Sequence, residues 1–198
     1  MRARPGTPLI SADDITVTGR LDSPVTLSLE AGHRLLITGH NGAGKSTLLA
    51  ALAGTHAAST GTVRHHGSAR IGLIGQEVPE WDPALTAQDL YGQHTRNTHL
   101  HNTIDPIPLT ATGLLERRSR HTPVVRLSQG QQRRLHLAIQ LAARPQLLLC
   151  DEPTDHLSIA LVDELTTALS ATPAAVVVAT HDRRMLTDLA HWPHLLLP

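Results

Sequence analysis

The sequence predicts an α/β protein in which a mainly parallel core sheet is flanked by helices. Two features of the 198-residue chain support this class. Short apolar, β-prone runs alternate with helical segments in its last third, and a glycine-rich loop joins another such run to a helix. Runs that are apolar on both faces are typical of strands buried in a parallel sheet that helices cover.

The N-terminal part predicts a separate antiparallel β subdomain. Between Leu9 and Leu29, the β-prone pieces 15–17 and 25–27 are separated by Gly19 and Pro24. The first core strand is expected at 34–38, followed by a helix over 46–53 that ends at Gly54, and then by strands around Val63 and over 70–74.

The middle of the chain has a different composition. Proline, histidine and threonine are frequent between 79 and 126, and only 84–90 and 113–118 look helical. We therefore predict one domain over 1–198, with a nucleotide-binding core formed by 9–76 and 127–198 and a helical insert at about 77–126. The later elements are a helix over 128–143 with Ser128 as its N-cap, strands over 146–150 and 174–180, and helices over 159–169 and 183–190.

The loop between the first core strand and its helix matches the phosphate-binding pattern G-x-x-x-x-G-K-[ST]. The residues expected to bind the phosphates of a nucleotide are Gly39, His40, Asn41, Gly42, Ala43, Gly44, Lys45, Ser46 and Thr47. Lys45 is the only lysine beside sixteen arginines, which suggests that the planar fork of arginine cannot serve in the loop. Ser46 is expected to place its hydroxyl on Mg²⁺.

A second phosphate-site element follows later in the chain. The apolar run 147–150 ends in Asp151 and Glu152, and the ends of parallel strands carry the ligand sites of α/β sheets. Asp151 is expected to hold Mg²⁺, directly or through water. Glu152 is expected to orient and polarise the attacking water.

Composition narrows the remaining classes. Seventeen basic and seventeen acidic residues leave no net charge to attract nucleic acid or an anionic membrane, and no apolar run reaches membrane-spanning length, so we expect a cytoplasmic protein with no direct membrane insertion. The arginines around the insert are expected to be a solvated face rather than a strong nucleic-acid patch: Arg117, Arg118, Arg120, Arg126, Arg133 and Arg134. Cys150 is expected to be a buried thiol.

In this order the motifs resemble those of the P-loop NTPases of the ATP-binding cassette (ABC) family over nearly the whole chain. They are the loop 39–46, Gln76, a signature sequence, the acids Asp151 and Glu152, and His181 within Thr-His-Asp. The signature residues are Leu127, Ser128, Gln129, Gly130 and Gln131. The resemblance implies Mg-ATP as ligand and ATP hydrolysis as activity.

The same resemblance implies roles for the remaining residues. Two cassettes, in a homodimer or heterodimer, pack head to tail, and the signature of each acts in trans on the partner's ATP. Gln76 senses Mg²⁺ and water, and His181 contacts the γ-phosphate. In the family an aromatic residue stacks on adenine; none lies between Leu9 and Arg34, so the guanidinium of Arg20 is the candidate, with a solvated turn as the alternative.

A finer resemblance is to the ABC-F group, paired-cassette proteins that act on the ribosome, and among them to the second cassette of actinobacterial macrolide-type resistance proteins. It is carried mainly by the stretch 153–157, Pro-Thr-Asp-His-Leu, where transporter cassettes usually read Ser-Ala-Leu. Two alternatives stay open: the energy subunit of a transporter with a separately encoded membrane permease, and a regulatory ATP-binding module with little turnover.

Two residues depart from the family pattern. Ser158 stands at the position of the D-loop aspartate, which puts coupling between the two sites in doubt. Gln129 replaces the first glycine of the signature, so the helix that follows is expected to approach phosphate less closely.

Overall fold

The computed structural model describes Arg4 and residues 6–101, 107–155, 157 and 159–198, without the side chains of 97–101 and 160. The chain forms two compact units, one of Met1–Gln76 with Pro145–Pro198 and the other of Glu77–Arg144. The strands are β1 (Pro8–Val17), β2 (Leu21–Glu30), β3 (Arg34–Thr38), β4 (Thr60–His65), β5 (Ile71–Ile74), β6 (Leu147–Asp151), β7 (Ala175–Ala179) and β8 (His194–Leu196). The α-helices are α1 (Lys45–Ala53), α2 (Ala87–His101), α3 (Gln129–Ala142), α4 (Ile159–Ala171) and α5 (Arg183–Asp188).

The first unit contains the predicted antiparallel sheet. Its strand order is β2-β1-β4, and both neighbours of β1 run antiparallel to it. The two β-prone pieces expected at 15–17 and 25–27 are parts of longer strands that pair with each other, with Ile15 opposite Val25. Apolar residues of β1 and β2, among them Ile10, Ile15 and Leu29, are buried in the core of this unit.

The second sheet of this unit is parallel, as predicted, with the strand order β5-β6-β7-β3-β8. Every residue of β6 and β7 is buried, which explains why both strands are apolar apart from Asp151 at the end of β6. Cys150 is fully buried in β6, and burial raises the pKa of its thiol. The edge strand β8 was not predicted, because it has only three residues, exposed, half-buried and exposed, which are too few to show an alternating apolar pattern.

Helix α1 packs on the core through Leu48, Leu49 and Leu52, each with no exposed surface. Complete burial of such a side chain stabilises a fold by about 1.5–3 kcal/mol. The helix ends where predicted, since Gly54 adopts φ 76° and its N–H donates to the carbonyls of Ala50 and Ala51. This packing fixes the position of the helix start, where the glycine-rich loop ends.

The unit 77–144 has its own apolar core, to which α2 and α3 contribute Leu90, Tyr91, Leu135 and Ala138. Of the helix predicted at 84–90, residues 87–90 form the start of the longer α2, whereas 84–86 form a turn, a bend and an isolated bridge to Pro123. Helix α3 is confirmed, with Ser128 as its N-cap. The single-domain organisation and the insert boundary near residue 126 stay predictions.

Two expectations for this unit are wrong. Residues 113–118 form bends and turns instead of a helix: Gly113 adopts φ 69°, and the carbonyl of Leu115 accepts two hydrogen bonds from the Arg120 guanidinium, so it is not available to a helical ladder. The arginines are also not all solvated, because Arg133 is buried. No helix among the described residues combines the length and apolar character needed to span a membrane.

Candidate active site

Four predicted site segments start from the same edge of the parallel sheet. Ile37 of β3 pairs with Ala179 of β7, and Ala179 pairs with Asp151 of β6, so these residues form a row across three adjacent strands. One residue before Asp151, Cys150 pairs with Ile74 of β5. Adjacent strands lie about 4.8 Å apart. The loop after β3, the acids of β6, the segment after β7 and Gln76 after β5 therefore emerge side by side.

The glycines of the loop are required by close backbone contacts. A Cβ atom on Gly39 would lie 2.7 Å from the carbonyl oxygen of Leu197, and one on Gly44 would lie 2.5 Å from that of Arg20. Gly44 also adopts φ 90°. Any larger residue at either position would displace the backbone that surrounds the loop.

Lys45 lies inside the loop as the first residue of α1. Its side chain is largely buried, and Nζ donates hydrogen bonds to the carbonyl oxygens of Gly39, at 2.9 Å, and His40, at 3.1 Å. The N-cap residue, Gly44, provides no side-chain cap. The first N–H groups of α1 and the positive end of its dipole can therefore serve an anionic ligand beside the ammonium group.

The other loop residues have mixed environments. Asn41, Gly42 and Ser46 are exposed, whereas Ala43 and Thr47 are half-buried. His40 is exposed, and its Nδ1 lies 2.7 Å from the carbonyl oxygen of Asn41. The exposed backbone and the Ser46 hydroxyl leave the mouth of the loop accessible to a ligand.

The two acids have different environments. Asp151 is the last residue of β6 and is 4% exposed. Glu152 is also buried and adopts φ 46°, a left-handed conformation that costs energy for a residue other than glycine. Its N–H donates to the carbonyl of Ala179 at 2.9 Å, which ties this strained residue to the neighbouring strand.

The Glu152 carboxylate is held by residues that follow β7. Oε2 accepts hydrogen bonds from the Thr180 hydroxyl at 2.9 Å and from the His181 N–H at 3.1 Å. Oε1 lies 2.7 Å from Nδ1 of His181, whose side chain is 64% exposed. The hydrogen bond to Glu152 and the negative charge of that carboxylate raise the pKa of His181 above its ordinary value.

The structure also places the two more distant candidates of this unit. Gln76 is exposed and lies two residues beyond the end of β5. Arg20 is exposed in the turn between β1 and β2, where its N–H donates to the carbonyl of Val17 at 2.9 Å. Its own carbonyl touches Gly44, so this turn borders the glycine-rich loop. The roles of Gln76 and Arg20 stay predictions.

The signature residues belong to the unit 77–144. Ser128 and Gln131 form a capping box: Ser128 Oγ accepts from the Gln131 N–H at 3.3 Å, and Gln131 Oε1 accepts from the Ser128 N–H at 2.9 Å. Leu127 is buried in the core of the unit, while Gln129 is exposed and Gly130 half-exposed. Ser158 lies outside the described residues.

A Mg²⁺ ion suits the predicted ligands Ser46, Asp151 and Gln76. They offer a hydroxyl, a carboxylate and an amide oxygen, which are hard donors of the kind that this ion prefers. A carboxylate as buried as that of Asp151 is costly unless a cation or hydrogen bonds compensate it. The donor chemistry therefore fits the ion.

Sequence reasoning missed three contributors. The Thr-His-Asp motif indicates no role for Thr180 itself, yet its hydroxyl donates a hydrogen bond to Glu152. The carbonyls of Leu197 and Arg20 form the walls against Gly39 and Gly44. No local sequence signal indicates these contacts, because each joins residues that are distant in the chain.

Comparison with known proteins agrees with this geometry. A family model described as "ABC transporter" matches residues 23–155. The chain is 43% identical over 178 residues to the tylosin resistance ATP-binding protein TlrC of Streptomyces fradiae, covering 90% of this chain and 31% of TlrC. It is 30% identical over 202 residues to the energy-dependent translational throttle protein EttA of Mycobacterium tuberculosis, covering 85% of this chain and 36% of EttA.

A solved structure supports the fold. The ATP-binding cassette MJ0796, in a dimeric post-hydrolysis state bound to ADP and Pi, superposes with a TM-score of 0.77 at 21% identity, covering 96% of this chain and 94% of that one. At this identity the likeness establishes the fold alone. The chain spans about a third of the length of the two curated relatives.

Proposed function

Because the chain belongs to the ATP-binding cassette family, we propose that it binds Mg-ATP at the carboxyl ends of strands β3, β6 and β7. Hydrolysis then takes place between two cassettes that are packed head to tail. The observation that carries the proposal is the common row of Ile37, Ala179 and Asp151. It brings the glycine-rich loop, the two acids and His181 to one place from separate parts of the chain.

The loop binds the phosphates. Lys45 Nζ already lies against the carbonyls of Gly39 and His40, and it exchanges these neutral acceptors for β- and γ-phosphate oxygens. The uncapped start of α1 adds backbone N–H donors. The carbonyls of Arg20 and Leu197 pack against the loop backbone at Gly44 and Gly39, which leaves the loop little room to shift around a cation broader than lysine.

Hydrolysis requires a water aligned with the γ-phosphorus. Glu152 orients this water and accepts its proton as the new bond to phosphorus forms and the bond to the ADP oxygen breaks. His181 leaves the Glu152 carboxylate and contacts the γ-phosphate. The ion held by Asp151, Ser46 and Gln76 supplies charge compensation for the phosphates.

The signature of a second cassette completes the site. Ser128 is the N-cap of α3, and its capping box with Gln131 uses only two of the backbone N–H groups at the helix start. In trans the Ser128 hydroxyl, the remaining N–H groups of the first turn and the helix dipole stabilise charge on the γ-phosphate. The clamp exists only in the closed dimer. We propose this role for residues 127–131 in either a homodimer or a heterodimer.

Glu152→Gln provides the direct test. The amide preserves the shape of the side chain but cannot accept the proton, so ATP hydrolysis should fall at least about a hundredfold while ATP binding persists. With Mg-ATP the variant should elute as a dimer in size-exclusion chromatography. Glu152→Gln combined with Lys45→Ala is the control and should stay monomeric. A wild-type chain that binds no ATP would overturn the proposal.

For the biological role we propose a cytoplasmic ABC-F-like protein that acts on the ribosome, with antibiotic resistance as the outcome. The support comes from the stretch 153–157 and from two relatives, whose names refer to tylosin resistance and to a translational throttle. ATP-driven closure of two cassettes would remodel the ribosomal partner.

Ribosome co-sedimentation tests this role. Glu152→Gln with Mg-ATP should pellet with ribosomes, and Glu152→Gln combined with Lys45→Ala should not. Failure to pellet, together with ATP-dependent binding to a separately encoded permease, would indicate a transporter energy subunit instead. ATP-dependent closure with almost no turnover in the wild type would indicate a regulatory module.

A further inference from the structure

The hydroxyl of Thr180 is buried and makes two hydrogen bonds. The side chain is 2% exposed, and its Oγ1 accepts a hydrogen bond from the Asp182 N–H at 3.1 Å. The same oxygen donates its only proton to Glu152 Oε2 at 2.9 Å. Because Asp182 is the N-cap of α5, the hydroxyl is anchored to the start of a helix and points at one carboxylate oxygen.

The two oxygens of Glu152 are therefore held by different kinds of partner. Oε2 is bound by the Thr180 hydroxyl and the His181 N–H, which belong to the short segment 180–182 held between β7 and α5. Oε1 is bound by the side chain of His181, which is mostly exposed and can rotate. When the imidazole moves toward a γ-phosphate, its hydrogen bond to Oε1 opens while both hydrogen bonds to Oε2 remain.

From this asymmetry we infer that Thr180 is a positioning residue for hydrolysis, which locks Oε2 of Glu152 and thereby directs Oε1 at the attacking water. The inference rests on the proposed function, in which Glu152 acts on that water. The strained backbone of Glu152 is in keeping with it, since a left-handed residue at a functional position needs surrounding contacts to hold it.

Thr180→Val tests the inference because it keeps the shape of the side chain and removes the hydroxyl. We expect kcat to fall roughly tenfold, the usual effect of losing one hydrogen bond, while the affinity for ATP changes less than about twofold. Thr180→Ser restores the hydroxyl and should recover most of the wild-type kcat.

The matched control is Thr166→Val. Thr166 is also buried in the first unit, and its hydroxyl donates to the carbonyl of Val162 at 2.8 Å within α4. The same chemical change there should lower the thermal midpoint without lowering kcat. This control separates a loss of positioning from a general loss of stability.

A double variant identifies the group through which Thr180 acts. In a Glu152→Gln background, Thr180→Val should lower the residual hydrolysis no further, because the carboxylate it positions is gone. An equal loss in both backgrounds would overturn the inference, as would a wild-type kcat in Thr180→Val or a Thr180→Ser variant as slow as Thr180→Val. A wild-type chain without ATPase activity would instead overturn the proposed function together with this inference.

Discussion

Nδ1 of His181 lies 2.7 Å from Oε1 of Glu152, across the ends of the adjacent strands β6 and β7. The two residues are joined a second time, because the His181 N–H donates to Oε2 of the same carboxylate. In this arrangement Glu152, the predicted base, and His181, the predicted contact of the γ-phosphate, are hydrogen-bonded to each other. The proposed mechanism requires that the hydrogen bond from the His181 side chain opens while the one from its backbone N–H remains.

The first prediction concerns the titration of His181. The hydrogen bond to Glu152 and the charge of its carboxylate raise the pKa of His181. The charged pair therefore contributes fully at pH values below about 6.5, the ordinary pKa of histidine, and is lost as the pH rises through the raised pKa. Glu152→Gln should return the pKa toward 6.5. The measurement is the imidazole chemical shift against pH in the nucleotide-free protein.

The control for this titration is Asp163→Asn. It also removes one carboxylate, but Asp163 pairs with Arg184 instead of His181. The His181 titration should be unchanged in this variant. If Glu152→Gln leaves the pKa of His181 where it is in the wild type, the pair does not form in solution.

The second prediction concerns Lys45. Lys45→Ala should weaken ATP binding by roughly ten- to a hundredfold, since a charge-assisted contact is worth about 1.5–3 kcal/mol. Lys45→Arg should fail as well, because the loop backbone at Gly39 and Gly44 is closely packed and cannot shift to admit the broader guanidinium. Equilibrium titration with ATP measures both, and the exposed Arg64→Ala should bind as the wild type does. Wild-type affinity in Lys45→Arg would contradict the argument.

The third prediction separates two roles of Ser128. Aspartate caps helices as well as serine does, so Ser128→Asp should keep the stability of α3, whereas Ser128→Ala should lose about 1 kcal/mol. The new negative charge of Ser128→Asp should nevertheless repel a γ-phosphate and prevent the ATP-dependent dimer of Glu152→Gln. Thermal unfolding and size-exclusion chromatography measure the two effects, and Ser128→Thr should retain both functions. Dimerisation of the aspartate variant would exclude the role in trans.

The fourth prediction concerns Arg34, which binds five carbonyl oxygens. Nη1 donates to Ala174, Gly32 and His33, and Nη2 donates to Ser170 and Thr172 at the end of α4. The guanidinium also lies 5.6 Å from the ring centre of the buried Trp192. A cation at the C-terminal end of α4 donates hydrogen bonds to carbonyls that lack a partner within the helix, and it interacts favourably with the negative end of the helix dipole.

Arg34→Met should therefore cost about 2 kcal/mol and lower the thermal midpoint by roughly 4–8 °C. Arg34→Lys should recover only part of the lost stability, because one ammonium group cannot reach both the carbonyls bound by Nη1 and those bound by Nη2. The control, Arg184→Met, removes an exposed pair with Asp163 and should cost less than about 1 kcal/mol. Equal midpoints for the two methionine variants would contradict this account.

The elements read most accurately from sequence were those whose signals are local. The loop 39–46, the start of α1 after Gly44 and its end at Gly54 follow from residues that are neighbours in the chain. The capping box of Ser128 and Gln131 is equally local, since three residues separate its partners. The incorrect helix prediction at 113–118 shows where local signals fail. There the guanidinium of Arg120, five residues away, donates hydrogen bonds to the carbonyl of Leu115.

The sequence by itself determined the fold class, the family and the order of the motifs, because helix caps, glycine turns and apolar runs act over a few residues. Only the tertiary structure decided which strands are neighbours and that Thr180 and His181 meet Glu152, 28 and 29 residues earlier in the chain. The physical reason is that the pairing of parallel strands depends on burial of both sheet faces by elements distant in sequence. No local preference of Thr180 could therefore indicate which carboxylate it would bind.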